Sequence, residues 1–552
     1  MKKELRTKTY YILVAITGMV TFIALYGWNV LNPSYDDWLF AGPGDLMQHY
    51  LGWCFYRRGD WTFPIGLTNN LAYPDYSSVI YTDSIPLFAV FFKLLSPILP
   101  KTFQYFGLWG IISFVLQGIF SVMLLQELKV GKAQAYIASF IFMLSPIVIE
   151  RMYRHTALGA HWIILASIYL FVRHKKDYDN IKKSAICWGA VGALIPSIHM
   201  YFLPMCGIFL GGYVLCSLIK TKKIKFKYFA PVLLFALGLF AVTFLLGGFS
   251  TRASASTSDG LGECSFNLNG FFNPKGYSEF FPSLPYCFDS QYEGFAYLGL
   301  GVFMLLFFAM AYIVICLAKK AARSDRDFVM YAAVYVLMSI GLIMFAASPQ
   351  VTFNDRLLFK YPDSSTLEHY WGIFRSTGRI VWPVCYLIYI AAVMCNDRLW
   401  KRAGKIYAAA VVVVLCVLAQ FADIYGKLAG ARQAYAERID YVSPLENDIW
   451  DRLSEVGSFE HVVWVSPHFE NREIMNIAEF ANDNGLTMNN YYFARAIGVV
   501  DNVKKEMENL NETCIYIFRT SEPEGIEDYD LYTYEADGYI IGVVPEIGQR
   551  IN

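Results

Sequence analysis

Neither sign of charge is in excess in this chain of 552 residues: 46 lysines and arginines balance 46 aspartates and glutamates. Nucleic-acid binding needs surplus positive charge along one face, so that class of partner is excluded. Charge is also scarce, at 17% of residues against 56% hydrophobic, which fits neither an ordinary soluble enzyme nor a disordered segment. No Gly-rich phosphate or dinucleotide loop occurs, and no Cys/His spacing has the form of a zinc site. Internal repeats, the usual sign of a transporter built from two halves, are missing as well. Cysteine is thin outside apolar segments. Of 11 cysteines, seven (Cys187, Cys206, Cys216, Cys316, Cys385, Cys395 and Cys416) lie within such segments, where Cys acts as a small apolar residue. Cys264 and Cys287 share one loop and either pair or stay free.

What the chain has instead is long apolar runs. A helix needs about 20 apolar residues to cross the hydrocarbon layer, and eleven runs approach that length: 10–31, 104–128, 134–149, 157–172, 184–200, 202–219, 228–249, 295–317, 328–347, 380–394 and 406–421. The run 84–99 is short and broken by Pro86 and Pro97, so it reads as a helix in the outer interface. Compact basic clusters at 2–8, 129–132, 173–183, 220–227, 319–326 and 397–405 alternate with longer, aromatic loops poor in Lys. The positive-inside rule then puts the N-terminus in the cytoplasm of a multi-pass cell-membrane protein. The first run is long enough to span, and no small-residue cleavage pattern follows it, so it reads as a span and not as a signal peptide. Aromatic residues, 17% of the chain, suit the two membrane boundaries.

This arrangement sorts the ionisable residues. The large outer loops are 31–103, 250–294 and 348–379, and nearly every polar residue of chemical interest falls on that side. Ionisable groups near a membrane are costly unless they face water, a partner or a cavity, so their concentration on one face marks a site. Residues 1–424 therefore read as a transmembrane domain, and 425–552, richer in polar residues, as a soluble extracytoplasmic α/β domain. In the latter, helices are expected at 445–456, 472–482 and 500–510, and strands at 461–466, 514–518 and 539–544. It has no catalytic motif, and a role in guiding substrate or docking a partner fits it best.

The first outer loop carries Asp36 and Asp37, then Gly44-Asp45-Leu-Met-Gln48-His49. If Asp45 opens a helix, His49 lies one turn along on the same face. The alternative for Asp45 is a plain N-cap. Glu150-Arg151-Met-Tyr-Arg154-His155 stands at one span end, with His161 in the span that follows. Phe374-Arg375-Ser-Thr-Gly-Arg379 stands at the start of another, and His199 with Tyr201 and Glu293 with Tyr292 lie at two more.

A first span, a large outer loop with an acidic residue, a proline-marked interfacial helix and a second span with a basic end resemble the GT-C glycosyltransferase superfamily. The phrases Gly44–Trp53 and 81–86, with Phe103-Gln-Tyr-Phe-Gly-Leu-Trp, Arg154-His-Thr-Ala-Leu-Gly-Ala-His-Trp, Tyr292-Glu-Gly-Phe-Ala-Tyr-Leu-Gly and Phe374-Arg-Ser-Thr-Gly-Arg, are similar to one uncharacterised bacterial family of that superfamily, a multi-pass membrane domain of unknown function. The resemblance implies an inverting membrane glycosyltransferase that moves a sugar from a polyprenyl-phosphate donor to an extracytoplasmic glycan, lipid or polymer of the cell envelope. It gives Asp45, with His49, the catalytic place, with Asp36 and Asp37 as rivals. Relatives usually carry an Asp-Glu pair there, and Asp45-Leu46 departs from it, so a divalent cation such as Mg²⁺ or Mn²⁺ is implied without being assured, and no metal ligand is assigned.

The residues themselves suit that chemistry. A base must take the proton of the acceptor hydroxyl, which a carboxylate can do. The phosphate leaving group needs fixed positive charge, and Arg forks match its oxygens. Arg151, Arg154, His155, Arg375 and Arg379 are the expected phosphate-binding set, and His161, His199, Tyr201 and Glu293 the expected substrate contacts. Two other classes predict differently. A transporter or flippase for a lipid-linked envelope precursor needs polar groups near the midplane, and a non-enzymatic envelope assembly partner leaves Asp45 dispensable.

Overall fold

The computed structural model describes residues 2–42, 44–173, 180–221, 225–250, 262–318, 326–362, 372–468, 470–493, 499–523 and 525–551. The basic clusters 173–183, 220–227 and 319–326 lie partly outside these residues. All eleven apolar runs are helical over most of their length. Among the described residues, seven helices are long and apolar enough to cross a membrane: Lys8–Tyr26, Phe106–Glu127, Phe202–Ile219, Phe226–Leu245, Leu300–Ala318, Thr377–Arg402 and Ile406–Asp423. The pair Lys132–Met143 and Pro146–Met152, bent by 47°, makes an eighth if it is one span. Of the other expected runs, Thr156–Val172 is a shorter apolar helix, Ile181–Ile198 contains Lys182, Lys183 and Pro196, and 328–347 lies in the helix Arg326–Ala347.

The bend at Pro146 matters for the site. Proline has no N–H to continue the helix before it, and the chain bends there by 47°, with Arg151 buried in the turn that follows. Helix packing elsewhere relies on close backbone approach. A Cβ at Gly192 would fall 2.1 Å from the carbonyl oxygen of Phe235, and one at Gly107 only 1.8 Å from that of Val30. In helix Pro86–Leu95 and the turn after it, Leu87, Phe91, Leu94 and Ile98 form an exposed stripe, while Ala89 and Lys93 face inward.

The C-terminal part is a mixed five-stranded sheet in the order Thr487–Met488, His461–Trp464, Cys514–Arg519, Tyr539–Val543, Tyr532–Ala536. Its first three strands are parallel and its last two join antiparallel. Val462, Val463 and Trp464 are all buried, as expected of a strand covered on both faces. Helix Tyr425–Ala436 stays with the membrane helices, where Tyr435 packs on Tyr26, Trp38 and Tyr153.

Helix Leu46–Arg58, in the loop after the first span, joins the two parts. Met47, Leu51 and Phe55, four residues apart, enter one core with Trp450, Trp464, Ile477 and Tyr491 of the C-terminal part, while Leu46, Tyr50 and Trp53 enter the core of the helical body. Backbone bonds reinforce the seam: Tyr73 N–H donates to the Met488 carbonyl at 2.9 Å, and Met488 N–H to that of Asn70 at 2.8 Å.

Glu479 on helix Asn471–Asp483 lies under this seam and accepts from the Tyr441 hydroxyl at 2.8 Å and the Ser443 hydroxyl at 3.2 Å. Burial pushes its carboxyl up to about 7, against the Tyr441 bond, which lowers it. The folded state therefore holds this proton more tightly than the unfolded state. The stabilisation, on the order of 3 kcal/mol, is complete below about pH 4.5 and is lost as pH rises through about 7. Thermal unfolding followed by tryptophan fluorescence at pH 5 and pH 8 should show the wild type losing stability across that interval. In Glu479→Gln this component of the loss should be absent.

Candidate active site

Gly44 has φ +69°, and a Cβ there would fall 2.8 Å from Cγ and 2.9 Å from the carbonyl oxygen of Arg154. Only glycine takes that backbone this close to a neighbour without strain. The contact seats the next residue, whose Asp45 N–H donates to the Arg154 carbonyl at 3.2 Å. Gly44→Ala is expected to destabilise by more than about 1 kcal/mol, seen as a lower thermal midpoint in detergent.

Asp45 occupies the N-cap position of helix Leu46–Arg58, yet its side chain makes no capping bond. Its Oδ2 lies 2.8 Å from His155 Nδ1. On the other side of the ring, Arg379 Nη2 is 3.4 Å from His155 Nε2. A guanidinium can only donate, so Nε2 accepts, Nδ1 carries the proton, and His155 donates to Asp45. Burial raises the Asp45 carboxyl, but the hydrogen bond from His155, together with the charges that His155 and His49 carry when protonated, outweighs it and holds the group below its ordinary range.

His49, one turn along, is fully buried, and neither of its ring nitrogens has a hydrogen-bond partner. One ligand atom from each of Asp45, His49 and His155 lies within 4.8 Å of the others. Burial pulls the His49 imidazole down to about 4, against Asp83 and Asp45, which raise it, so it is neutral at pH 7.

Glu293 ties the other side together. Its Oε2 is 2.9 Å from Arg151 Nη2 and 2.8 Å from Arg379 Nη2, and its Oε1 is 3.9 Å from His155 Nε2. Burial raises the carboxyl, and Arg379 followed by Arg151 reverses this, leaving it well below the usual range. The three buried groups carry one net positive charge. Arg154 is held by Glu150 at 2.8 Å and lies over the Tyr292 ring, 5.0 Å from its centroid, while Lys275 stands 4.1 Å from the same centroid.

His199 Nε2 is 3.2 Å from Asp83 Oδ1, and Tyr201 lies under Arg379, 4.9 Å from its ring centroid, while accepting from Ser376 N–H at 2.9 Å. Burial raises the Asp83 carboxyl, but His199 pulls it down to about 2. Asp83 and Ile85 both have φ of 54°. Such backbone is rare for a β-branched residue. It is fixed between them by the Ser84 hydroxyl, which donates to the His49 carbonyl at 2.7 Å.

Asp45, His49, His155, Glu293, Arg151 and Arg379 thus come together, with His199 and Tyr201 alongside. His161 does not join them. It is buried against Trp382 at 4.7 Å and bonds Tyr386 at 2.8 Å, with Arg151 over the same Trp382 ring at 5.4 Å. Asp36 accepts from Tyr50 at 2.7 Å and Asp37 from Tyr441 N–H at 3.2 Å, so these two rivals of Asp45 serve packing contacts. Arg375 is exposed. Cys264 and Cys287 are free thiols. Sequence reasoning missed Asp83, Glu150 and Lys275. The one available signal was Thr-Asp-Ser-Ile-Pro at 82–86, an acid directly before the interfacial helix.

Fold and site together define a polytopic membrane protein with a buried acid, histidine and arginine cluster built from its loops. The chain belongs to the DUF6311 family, described as a domain of unknown function: residues 15–425 match that domain and 449–544 match the DUF6311 C-terminal domain. No curated protein matches it in sequence. Among solved structures it is similar to the Archaeoglobus fulgidus oligosaccharyltransferase in the apo form (12% identity, TM-score 0.42, 93% of this chain and 70% of that one) and in complex with Zn and sulfate (12%, 0.43, 96% and 73%). It is also similar to ArnT from Cupriavidus metallidurans in the apo state (13%, 0.41, 98% of each chain).

Proposed function

We propose that this protein is an inverting membrane glycosyltransferase that moves a sugar from a polyprenyl-phosphate donor to an extracytoplasmic acceptor. The observation that carries the reading is the pairing of an ionised carboxylate, Asp45, with a buried Arg151–Glu293–Arg379 cluster of net positive charge, His155 standing between them.

Asp45 takes the proton of the acceptor hydroxyl as that oxygen bonds to the anomeric carbon. The bond from that carbon to the phosphate oxygen breaks, and its electron pair leaves with the phosphate. A single displacement inverts the centre. Arg151 and Arg379 receive the departing charge, and Glu293 keeps their forks preset, so little reorganisation accompanies the step. Arg154 and Arg375 extend the positive rim. His155 orients Asp45 and keeps it ionised.

Asp45, His49 and His155 each place one ligand atom within 4.8 Å of the others, and a divalent cation would be held there once His155 gives up the Nδ1 proton that it donates to Asp45. His49 is buried and neutral, with both nitrogens lacking a hydrogen-bond partner. Two imidazoles suit Mn²⁺ or Zn²⁺ better than Mg²⁺, which prefers all-oxygen ligands. A cation there supplies positive charge for phosphate oxygens. Mn²⁺ or Zn²⁺ at 100 times its dissociation constant should stabilise the purified protein by about 2.7 kcal/mol. Thermal unfolding with and without chelator checks this, and His49→Ala should remove the shift.

The function is tested by mass spectrometry of surface glycans and polyprenyl-linked sugars in a deletion strain, with and without the wild-type gene. Loss of one sugar substituent together with build-up of its lipid-linked donor is the expected result. Unchanged glycans would overturn the reading, and build-up of the lipid-linked sugar on the cytoplasmic side alone would overturn it in favour of transport.

A further inference from the structure

Beside the buried cluster, two further cations share one aromatic ring. Tyr292 directly precedes Glu293, and its ring centroid lies 5.0 Å from the Arg154 guanidinium and 4.1 Å from the Lys275 ammonium. The two cations differ in what balances them. Arg154 Nη1 pairs with Glu150 at 2.8 Å, and Glu150 also accepts from the Tyr277 hydroxyl at 2.5 Å. Lys275 is partly covered, yet among the described residues its ammonium has no carboxylate partner and no hydrogen-bond acceptor, and what faces it is the Tyr292 ring. A covered charge without a counter-charge is costly. Burial pulls this ammonium down to about 8, with Glu150 opposing, so it is charged at pH 7.

The backbone holds that lysine in place. Asn273 is fully buried; its Oδ1 accepts from Lys275 N–H at 3.1 Å and Leu284 N–H at 3.0 Å, and its Nδ2 donates to the Leu284 carbonyl at 2.8 Å. Lys275 itself has φ of 47°, which a non-glycine residue adopts at a cost and keeps only where its surroundings fix it. Access differs between the two layers of positive charge: the Arg151 side chain is 1% exposed and that of Arg154 40%, so the outer layer can be reached from solvent. The charges also count. Arg151, Glu293 and Arg379 carry one net positive charge, Arg154 with Glu150 carries none, and Lys275 adds a second. A sugar joined to a polyprenol through one phosphate brings one negative charge, and through a diphosphate two.

We infer that Lys275 and Arg154, on the Tyr292 ring, bind a second phosphate, so that the donor is a sugar linked to a polyprenyl diphosphate and not to a monophosphate. The role as sugar donor rests on the transferase reading, whereas the preference for a lipid diphosphate needs no turnover. Arg151 and Arg379, next to His155, take the phosphate bonded to the sugar. Lys275, with the Arg154 donors that Glu150 leaves over, takes the phosphate bonded to the prenyl chain. On transfer the anomeric C–O bond breaks with its electron pair going to the sugar-side phosphate, the acceptor proton passes to Asp45, and a polyprenyl diphosphate departs.

The test measures lipid binding to the purified full-length protein in phosphatidylcholine nanodiscs by native mass spectrometry, with chelator present so that no metal ion bridges the phosphates. Polyprenyl phosphate and polyprenyl diphosphate are compared, and inorganic diphosphate is the soluble probe. The wild type should bind the lipid diphosphate about tenfold more tightly than the lipid monophosphate. Lys275→Gln should abolish that preference while still binding the monophosphate, which shows that the variant is folded, and Lys275→Arg should restore it. Lys427→Gln removes an exposed cation 5.2 Å from the Tyr277 ring centroid and should leave the preference unchanged. Equal binding of the two lipids by the wild type, a preference that survives Lys275→Gln, or an equal loss in Lys427→Gln would each overturn the inference. Binding of inorganic diphosphate without a preference for the lipid diphosphate would overturn it in favour of a site for a soluble anion. If Asp45→Asn leaves the glycan product intact while the preference persists, the transferase reading fails and the diphosphate site stands. If Asp45→Asn abolishes product and the wild type shows no preference, the reverse holds.

Discussion

Asp45→Asn should lower glycan product by about 10²–10⁴-fold, the usual contribution of a positioned general base, while the protein stays folded and in the membrane. Asn keeps the size of the side chain and can still accept from His155 Nδ1 through its carbonyl oxygen, so the 2.8 Å contact has a substitute. It cannot take up a proton. The side chain makes no capping bond, so helix Leu46–Arg58 loses nothing at its start. The measurement is the one that tests the function, made on a deletion strain carrying wild type or Asp45→Asn at equal protein level. Disappearance of the sugar substituent with accumulation of its lipid-linked donor is expected. Full restoration of the glycan by Asp45→Asn would remove Asp45 from the chemistry. Asp36→Asn and Asp37→Asn should leave product nearly unchanged, because those carboxylates hold Tyr50 and the Tyr441 backbone.

Glu293→Gln should produce the largest loss of stability, about 3–5 kcal/mol. Glutamine fits the space but removes the charge that holds two guanidinium groups 2.9 Å and 2.8 Å away. Arg151 is 1% exposed and Arg379 8%, so neither can turn to water for compensation. Both the thermal midpoint and the cellular level of the protein should fall. Adding Arg379→Gln to Glu293→Gln should recover part of the loss, because one of the two unpaired charges is removed with it. A double variant no better than Glu293→Gln alone would show that the arginines do not depend on Glu293. Product should stay low in both, since either change removes part of the positive cluster proposed for the phosphate.

Several parts of this arrangement were legible in single segments. The apolar runs predicted helices, and helices occupy them. The spacing from Asp45 to His49 matches one helical turn, and His49 N–H bonds the Asp45 carbonyl at 2.9 Å. The strands at His461–Trp464 and Cys514–Arg519 followed from short buried runs between turns. Glu293 was expected as a substrate contact, with pairing to an arginine as the simpler reading, and the structure supplies two arginines.

Other features had no local signature. Glu293 meets Arg151 and Arg379 across 142 and 86 positions of chain, a meeting that depends on the bend at Pro146 and on how the spans pack. Asp83 looks like an ordinary loop acid until its left-handed turn brings it to His199. Tyr492 lies in a segment that reads as part of a separate soluble domain, and only docking on helix Leu46–Arg58 brings its carbonyl to the Gln48 side chain.

By itself, then, the sequence determined that this chain is a helical membrane protein with its ionisable residues gathered in particular loops, because hydropathy and helical period are properties of short stretches. Which acid meets which base was decided only by the tertiary structure. Those pairs join segments far apart in the chain, and their geometry is set by helix bends, close glycine contacts and the docking of the C-terminal sheet, none of which a local pattern encodes.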